Sequence, residues 1–167
     1  MSGTGKSTAV HVLGQRGHHV VDTDTDDWSC WVGLPDGSTD WVWREDAIAS
    51  LLESRIDGHL FVAGCKTNQG RFYRQFDHIA LLSAPADVLL ARITTRTTNP
   101  YGKHPDERAL VLRYLAEVEP RLRATATIEI DASAPISQVV EQLEALARRP
   151  AVRGSRIDPA REYRAPS

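Results

Sequence analysis

The chain has 167 residues, a formal net charge of -2 and a hydrophobic fraction of 41%. This length fits one domain with a real core, and the near-neutral charge argues against nucleic-acid binding by the domain as a whole. No apolar run approaches the roughly 18 residues of a membrane-spanning helix, no export signal is visible, and the 2 cysteines are too few for a disulfide framework. We therefore expect a cytoplasmic protein that binds neither nucleic acid nor a membrane.

The chain opens with the letters S-G-T-G-K-S-T at positions 2–8, the closing half of the pattern G-x-x-x-x-G-K-[ST]. In this pattern the backbone N–H groups of a loop and of the following helix surround phosphate oxygens, assisted by the helix dipole. Gly3 and Gly5 would let the backbone turn sharply and approach a phosphate. Lys6 would reach the β- and γ-phosphates, and the Ser7 hydroxyl would take a place on Mg²⁺. The motif therefore predicts a binding loop for a nucleoside triphosphate.

The first glycine of the pattern would fall one residue before Met1. A buried strand ordinarily leads into such a loop, and the sequence as it stands lacks it. We expect that Met1 is an internal methionine and that the natural chain carries an apolar strand and a glycine upstream. The codons before Met1 test this expectation.

Helical and extended patterns alternate along the rest of the chain, which predicts an α/β fold: a doubly wound parallel sheet with helices on both faces, its first strand missing. Glycines and a proline predict a loop over residues 23–40. One domain is expected over residues 1–148, followed by a mobile basic tail over 149–167. The predicted helices span 6–16, 41–56, 85–95, 106–123 and 135–148, and the predicted strands span 18–22, 59–63, 79–82 and 127–130.

Asp22 and Asp24 close the first of these predicted strands, at the carboxyl edge of the sheet where ligands bind. One carboxylate could hold Mg²⁺ through water, and the other could accept a proton from an acceptor hydroxyl. Alternatively, the aspartates between positions 22 and 27 form a solvated turn. With the phosphate-binding loop as context, we favour a metal or catalytic role.

Arg92 and Arg96 are spaced one helical turn apart, so their guanidinium groups would share a face and could stack on a base or bind phosphate. Lys103 adds a third cation on a loop that Pro100 and Gly102 would shape. The alternative is ordinary surface charge on a helix and its connection.

All 4 tryptophans fall within residues 28–43. Exposed rings would form a platform for the ring of an acceptor, whereas buried rings would belong to the core beneath the second helix, and both interpretations stay open. Arg44 and Arg71 could meet an acidic group of an acceptor. For the glycine-containing segment 64–70, contact with an acceptor and ordinary turn chemistry also stay open.

Taken together, these features over residues 1–148 resemble the small P-loop kinases of the shikimate kinase and adenylate kinase group. The resemblance implies transfer of the γ-phosphoryl group of ATP with Mg²⁺ as cofactor. Lys6, Asp24 and Arg96 would be catalytic, while Ser7 and Asp22 would serve Mg²⁺. It further implies a lid over residues 97–105 that excludes water.

The resemblance also implies a binding region for the nucleotide. Arg92 would pack on adenine, and the loop 130–135 would hold the adenine edge from the other side. The residues expected to bind ATP are Ser2, Gly3, Thr4, Gly5, Lys6, Ser7, Thr8, Arg92, Arg96, Lys103 and Pro135.

The chain departs from shikimate kinase on the acceptor side. The triple-glycine segment of that family is replaced by residues 64–70, and the arginine for the shikimate carboxylate has no clear counterpart. The expected partners are therefore ATP and an unidentified small-molecule acceptor, bound by a monomer or homodimer. Two alternatives remain: a nucleoside or nucleotide kinase that stacks a base on the tryptophans, and a nucleotide-binding protein or NTPase with little transfer activity.

Overall fold

A computed structural model describes residues 2–54, 56–97 and 101–151. The described residues cluster into two compact units, one drawn from the ranges 2–9 and 78–150 and the other from the range 10–77 and residue 151. The expected tail lies outside the described residues beyond position 151, as do positions 98–100 of the expected lid. Within the described segments, no helix is both long and apolar enough to cross a bilayer.

The elements alternate as an α/β fold requires, and both parallel strand pairs agree with that class. In the described residues the strands form three two-stranded sheets, and not the single doubly wound sheet that we predicted. The helices are α1 Lys6–Gln15, α2 Glu45–Glu53, α3 Ala86–Thr95, α4 Pro105–Glu117, α5 Glu119–Thr125 and α6 Ile136–Ala147, with a 3-10 helix at Gln69–Gln75. The strands are β1 His19–Asp22, β2 Ser29–Gly33, β3 Thr39–Trp43, β4 Leu60–Ala63, β5 Ala80–Ser83 and β6 Ile128–Asp131.

In the first unit, β5 and β6 pair in parallel, with Leu82 opposite Ile130. Apolar residues recur at helical spacing along α6, so one face of this helix is apolar. That face packs on the strands and removes their side chains from water. The resulting core contains Leu82, Ala84, Leu89, Ile130, Ala132 and Val139. The predicted helix 106–123 is two helices, α4 and α5. Pro120 lies in the first turn of α5, where its missing N–H is tolerated, and it could not continue α4.

In the second unit, β1 and β4 pair in parallel from His19 opposite Leu60 to Asp22 opposite Ala63. A hairpin of β2 and β3 follows β1, so the prediction of a loop over 23–40 and a helix from residue 41 is wrong there. Aromatic and β-branched residues alternate along both hairpin strands, which favours extended backbone over helix. The turn between them contains Gly37 at a φ of +84°. A separate core forms around Trp43, Ile48 and Phe72.

Candidate functional site

Residues 2–5 form a loop that leads directly into α1. Gly3 and Gly5 have φ angles of +82° and +83°, a left-handed conformation that glycine adopts without strain. The amide of Ala9 donates to the Gly5 carbonyl at 2.9 Å, so the helix starts immediately after the second glycine. The first turn of a helix has no intrahelical acceptors for its N–H groups and carries the positive end of the dipole. Left-handed residues just before such a turn are also found in the backbone nests that bind anions in other proteins.

The two glycines have different surroundings. A Cβ on Gly3 would lie 3.0 Å from Cγ1 of Ile93 and 3.1 Å from the carbonyl oxygen of Leu89, both in α3. A Cβ on Gly5 would meet no atom within 4 Å. Gly3 is therefore needed for the packing of the loop on α3 as well as for its φ angle, whereas Gly5 is needed for its φ angle and leaves open space beside the start of α1.

Arg96 lies beside this loop. It follows the last residue of α3 with extended backbone, so it is not on a helical face with Arg92 as the spacing had suggested. Its Nη2 donates to the Tyr101 carbonyl at 2.8 Å and to the Ser2 hydroxyl at 3.4 Å. Its Nε is buried and has no acceptor among the described residues. A buried guanidinium N–H without a partner is costly, and an anionic oxygen would satisfy it.

Arg92 points to the loop that follows β6. Its Nη1 donates to the carbonyl of Ala132 at 2.6 Å, and its Nη2 lies 3.5 Å from the carbonyl of Ser133. Hydrogen bonds from the Ser133 hydroxyl and backbone N–H lower the pKa of Asp131 at the start of the same loop. Pro135 ends the loop as the N-cap residue of α6. The structure thus brings Arg92 into direct contact with the loop 130–135, and the expected contact of both with adenine stays a prediction.

Lys103 binds backbone carbonyls at the carboxyl end of α3. Its ammonium donates to the carbonyls of Thr94 at 2.5 Å and Arg96 at 2.6 Å, where a cation stabilises the negative end of the helix dipole. Sequence spacing had suggested a phosphate contact for this lysine instead. The adjacent Gly102 has a φ of +91°, and a Cβ there would lie 2.0 Å from Cγ2 of Ile93. The segment 101–103 is therefore closely fitted to α3.

Glu107 holds this segment from its other side. Its carboxylate accepts hydrogen bonds from the amides of Gly102 at 2.8 Å and His104 at 3.2 Å. These backbone hydrogen bonds lower the pKa of Glu107, and the one from His104 has the largest effect. Burial raises the pKa of the neighbouring Tyr101 phenol, as do Tyr114 and Glu107. The described part of the predicted lid is thus anchored at its carboxyl end.

In the second unit, Thr23 joins the end of β1 to its neighbours and is fully buried. Its hydroxyl donates to the Ala63 carbonyl at 2.8 Å and accepts the indole N–H of Trp43 at 2.7 Å. Its carbonyl accepts the Ser29 hydroxyl at 2.6 Å. A Cβ on Gly64 would lie 2.1 Å from the Thr23 hydroxyl oxygen, so only glycine fits at that position. These contacts fix the backbone between the two predicted acidic residues.

Asp22 and Asp24 therefore emerge from a fixed backbone at the carboxyl end of β1. The Asp22 carboxylate accepts the amide of Asp24 at 3.2 Å, which is a local turn contact. Asp24 pairs with Lys66, whose Nζ lies 2.5 Å from the Asp24 carboxylate. The Lys66 side chain is only 8% exposed, whereas that of Asp24 is 55% exposed. The ammonium also lies 5.8 Å from the centroid of the Trp41 ring.

Lys66 is a functional candidate that we had not singled out from the sequence. It follows β4, which is parallel to β1, so the rule that placed Asp24 at the carboxyl edge of a sheet also applies to Lys66. That signal was present in the sequence, but the segment 64–70 contains glycines and was interpreted only as a turn or a backbone contact.

The tryptophans divide between the two interpretations that the sequence left open. Trp43 is 5% exposed and packs on Phe72 with ring centroids 5.8 Å apart. Trp31 is 67% exposed and stands opposite Trp41 in the hairpin, with ring centroids 5.1 Å apart. One face of the hairpin thus supplies core at its base and, further out, an aromatic pair in which Trp31 is exposed and Trp41 is half-buried.

The two arginines that we expected to bind an acidic group of the acceptor contact other groups of the protein instead. Arg71 pairs with Glu45 at 2.5 Å, and the Nε of Arg44 donates to the backbone carbonyl of Asp26 at 2.8 Å. Asn68 connects the 64–70 segment to the hairpin: its side chain accepts the Trp43 amide and donates to the Trp43 carbonyl, each at 3.0 Å. Positive charge in this region is therefore used for internal contacts.

No group of three or more His, Cys, Asp and Glu side chains in the described part of the chain is arranged to hold a metal ion. Mg²⁺ with a nucleotide takes most of its ligands from phosphate and water, so it needs only one or two protein oxygens. Ser7 is exposed in the first turn of α1, and Asp22 is half-buried at the end of β1. Each is the type of oxygen ligand that Mg²⁺ accepts.

Comparison with known proteins gives no assignment: no family model matches the chain, and no curated protein matches it. The grounds for a functional proposal are therefore the α/β fold, the geometry of residues 2–5 and the contacts of Arg96, Asp24 and Lys66.

Proposed function

We propose that this protein is a phosphotransferase of the P-loop kinase class, which transfers the γ-phosphoryl group of ATP to a hydroxyl of a small-molecule acceptor. The observation that carries the proposal is the loop at residues 2–5. It combines two left-handed glycines and a helix that starts at Lys6, and beside it lies the buried Nε of Arg96, which has no acceptor in the described part of the chain. Polyphosphate is the ligand whose oxygens match such a set of donors.

On the nucleotide side, the amides at the start of α1 would hold phosphate oxygens, and Lys6 would neutralise charge on the β- and γ-phosphates. Arg96 would offer its Nε and Nη donors to the transferring group, whose negative charge is spread over its oxygens. The Ser7 hydroxyl and, through water, the Asp22 carboxylate would hold Mg²⁺. When bound, Mg²⁺ supplies charge neutralisation on the phosphate oxygens.

On the acceptor side, Asp24 would orient the hydroxyl and take its proton as the new P–O bond forms. The bond between the γ-phosphorus and the bridging oxygen breaks in the same transfer, and ADP leaves with that oxygen. Lys66 holds the carboxylate of Asp24 in one orientation, which is the main requirement of a reaction catalysed by positioning and electrostatics.

Binding of a fluorescent ATP analogue with Mg²⁺ tests the nucleotide part of the proposal. Lys6→Ala should weaken binding at least tenfold, about 1.4 kcal/mol, and should abolish ADP formation while circular dichroism stays unchanged. Arg113→Ala is the matched control, because this arginine forms an exposed pair with Glu117 on α4. Equal ATP affinity in wild type and Lys6→Ala would remove the assignment of the loop.

A coupled assay for ADP, run across a library of hydroxylated acceptors, tests the transfer part. Acceptor-stimulated ADP formation that is lost in Asp24→Asn is the expected result. ATP binding without ADP formation under any condition would favour a nucleotide-binding protein over a kinase. The exposed Trp31 is the observation that favours a nucleoside among the possible acceptors, because an aromatic base would stack on it.

A further inference from the structure

An aromatic pair and an ion pair lie next to each other in the second unit. We call the set of Trp31, Trp41, Lys66 and Asp24 the tryptophan surface. Trp31 is the most exposed large hydrophobic residue among those described. An exposed tryptophan that packs on a second aromatic ring and adjoins an ion pair is an apolar patch with a polar rim, the kind of surface that marks binding sites.

The ring of Trp31 packs against that of its cross-strand partner Trp41, with ring centroids 5.1 Å apart and ring planes tilted by 51°, and this contact restrains the exposed ring. Trp41 in turn lies 5.8 Å from the Lys66 ammonium, which binds Asp24. The tryptophan surface therefore runs from an apolar platform to a half-exposed carboxylate. A platform of this kind binds the face of a ring, and the carboxylate accepts a hydrogen bond from a hydroxyl.

The charges around the tryptophan surface select against anions. Lys66 is paired with Asp24 and Arg71 with Glu45, whereas Arg44 keeps its positive charge and donates its Nε hydrogen to the backbone carbonyl of Asp26. Beyond Asp24, the connection from β1 to β2 adds the exposed carboxylates of Asp26 and Asp27. The carboxylates of Asp24, Asp26 and Asp27 outnumber the cations Lys66 and Arg44, so a carboxylate or phosphate on the ligand would meet net repulsion here.

We infer that the tryptophan surface binds a hydroxylated ring compound without negative charge, with its ring on Trp31 and a hydroxyl on Asp24. Neutral or amine-bearing sugars and nucleosides share this chemistry, whereas sugar acids and phosphorylated compounds do not. The inference rests on the proposed function where it makes this compound the phosphoryl acceptor. Binding itself depends only on the tryptophan surface.

Calorimetric titration of the full chain with matched compounds tests the inference. One set is glucose, glucosamine, glucuronate and glucose 6-phosphate, and the other is adenosine and adenosine monophosphate. In at least one set, the neutral or amine-bearing member should bind at least tenfold tighter than its acidic or phosphorylated counterpart. The set that binds distinguishes a sugar from a nucleoside. Binding restricted to anions, or binding of no compound, overturns the inference.

Trp31→Ala should weaken this binding at least tenfold without unfolding the protein, because the side chain is mostly exposed. Val32→Ala is the control, since Val32 is exposed on the opposite face of β2 and should leave binding unchanged. Equal affinity in wild type and Trp31→Ala would overturn the inference.

Parallel titration with the fluorescent ATP analogue separates the two proposals. Binding of a sugar or nucleoside without binding of the ATP analogue would refute the kinase proposal and keep the tryptophan surface. Binding of the ATP analogue without binding of any sugar or nucleoside would keep the kinase proposal and refute the tryptophan surface.

Discussion

Replacement of Asp24 and replacement of Lys66 should change the free energy of unfolding very differently, although the two residues form one ion pair. Asp24→Asn removes the carboxylate and leaves a lysine that is 8% exposed without its counter-charge. Lys66→Met removes the charge, keeps an apolar chain of similar length, and leaves Asp24 at a position where water already reaches it. We expect the first change to be clearly destabilising and the second to be mild.

The magnitude follows from the unequal burial of the two side chains. Removal of one partner from a fully buried pair costs about 3–5 kcal/mol. Asp24 is 55% exposed, so water screens the pair and can partly solvate the ammonium, which lowers the expected cost of Asp24→Asn to about 1–3 kcal/mol. Lys66→Met should cost about 0–1 kcal/mol, because its apolar stem stays packed.

Urea unfolding followed by tryptophan fluorescence measures both free energies. With a slope of about 2 kcal/mol per M, a loss of about 2 kcal/mol lowers the midpoint by about 1 M. Asp26→Asn is the matched control, an exposed aspartate in the same connection that should change the midpoint little. The double variant should be no less stable than Asp24→Asn alone, since the buried charge is gone.

Two results would refute this reasoning. Equal losses in Asp24→Asn and Lys66→Met would mean that burial of the ammonium does not set the cost. A loss in Asp24→Asn no larger than in Asp26→Asn would mean that the pair contributes nothing measurable.

Three further outcomes follow from the described contacts. Thr23→Val leaves the indole N–H of the buried Trp43 without an acceptor and should lower the free energy of unfolding by about 1–3 kcal/mol in the same urea assay, whereas Thr23→Ser should restore most of it. Gly102→Ala should destabilise, because its φ is positive and its Cβ would overlap Ile93; a melting temperature equal to that of wild type would contradict the local geometry. Hydrogen bonds from Arg123 and from Ser83 lower the pKa of Glu129 from its ordinary value of 4.5 to about 2, so its stabilising contribution is complete above pH 4.5 and is lost as the pH falls toward 2. Glu129→Gln should therefore be less stable than wild type at pH 6, and the difference should shrink by pH 2.5 in thermal melts; a constant difference would contradict the assignment.

The loop at residues 2–5 was the most predictable part of the molecule. Its conformation depends on residues adjacent in sequence: Gly3 and Gly5 take positive φ angles that other residues avoid, and the helix follows at once. The parallel strands were also found, because each is a short apolar run. Sequence patterns predicted the structure where it depends on residues adjacent in the chain.

The hairpin and the partners of the cations were not predicted. Gly33, Pro35 and Gly37 suggested a loop and hid the alternation of residues in β2 and β3. The pairing of Lys66 with Asp24 joins residues 42 positions apart, which only the folded chain brings together. Likewise, sequence spacing does not distinguish a lysine that contacts phosphate from one that, like Lys103, binds the carbonyls of a helix end.

The hairpin is held at its base and, through a hydrogen bond from the Thr67 hydroxyl to the Asp40 carboxylate, along β3. Its base carries Trp43, which hydrogen bonds to Thr23 and Asn68, whereas the turn residues 35–38 are exposed. Sequence changes in the turn can therefore accumulate during evolution at little thermodynamic cost, while the base keeps the scaffold intact. Such a division would let descendants of this chain vary the length and composition of the turn without first acquiring a more stable protein.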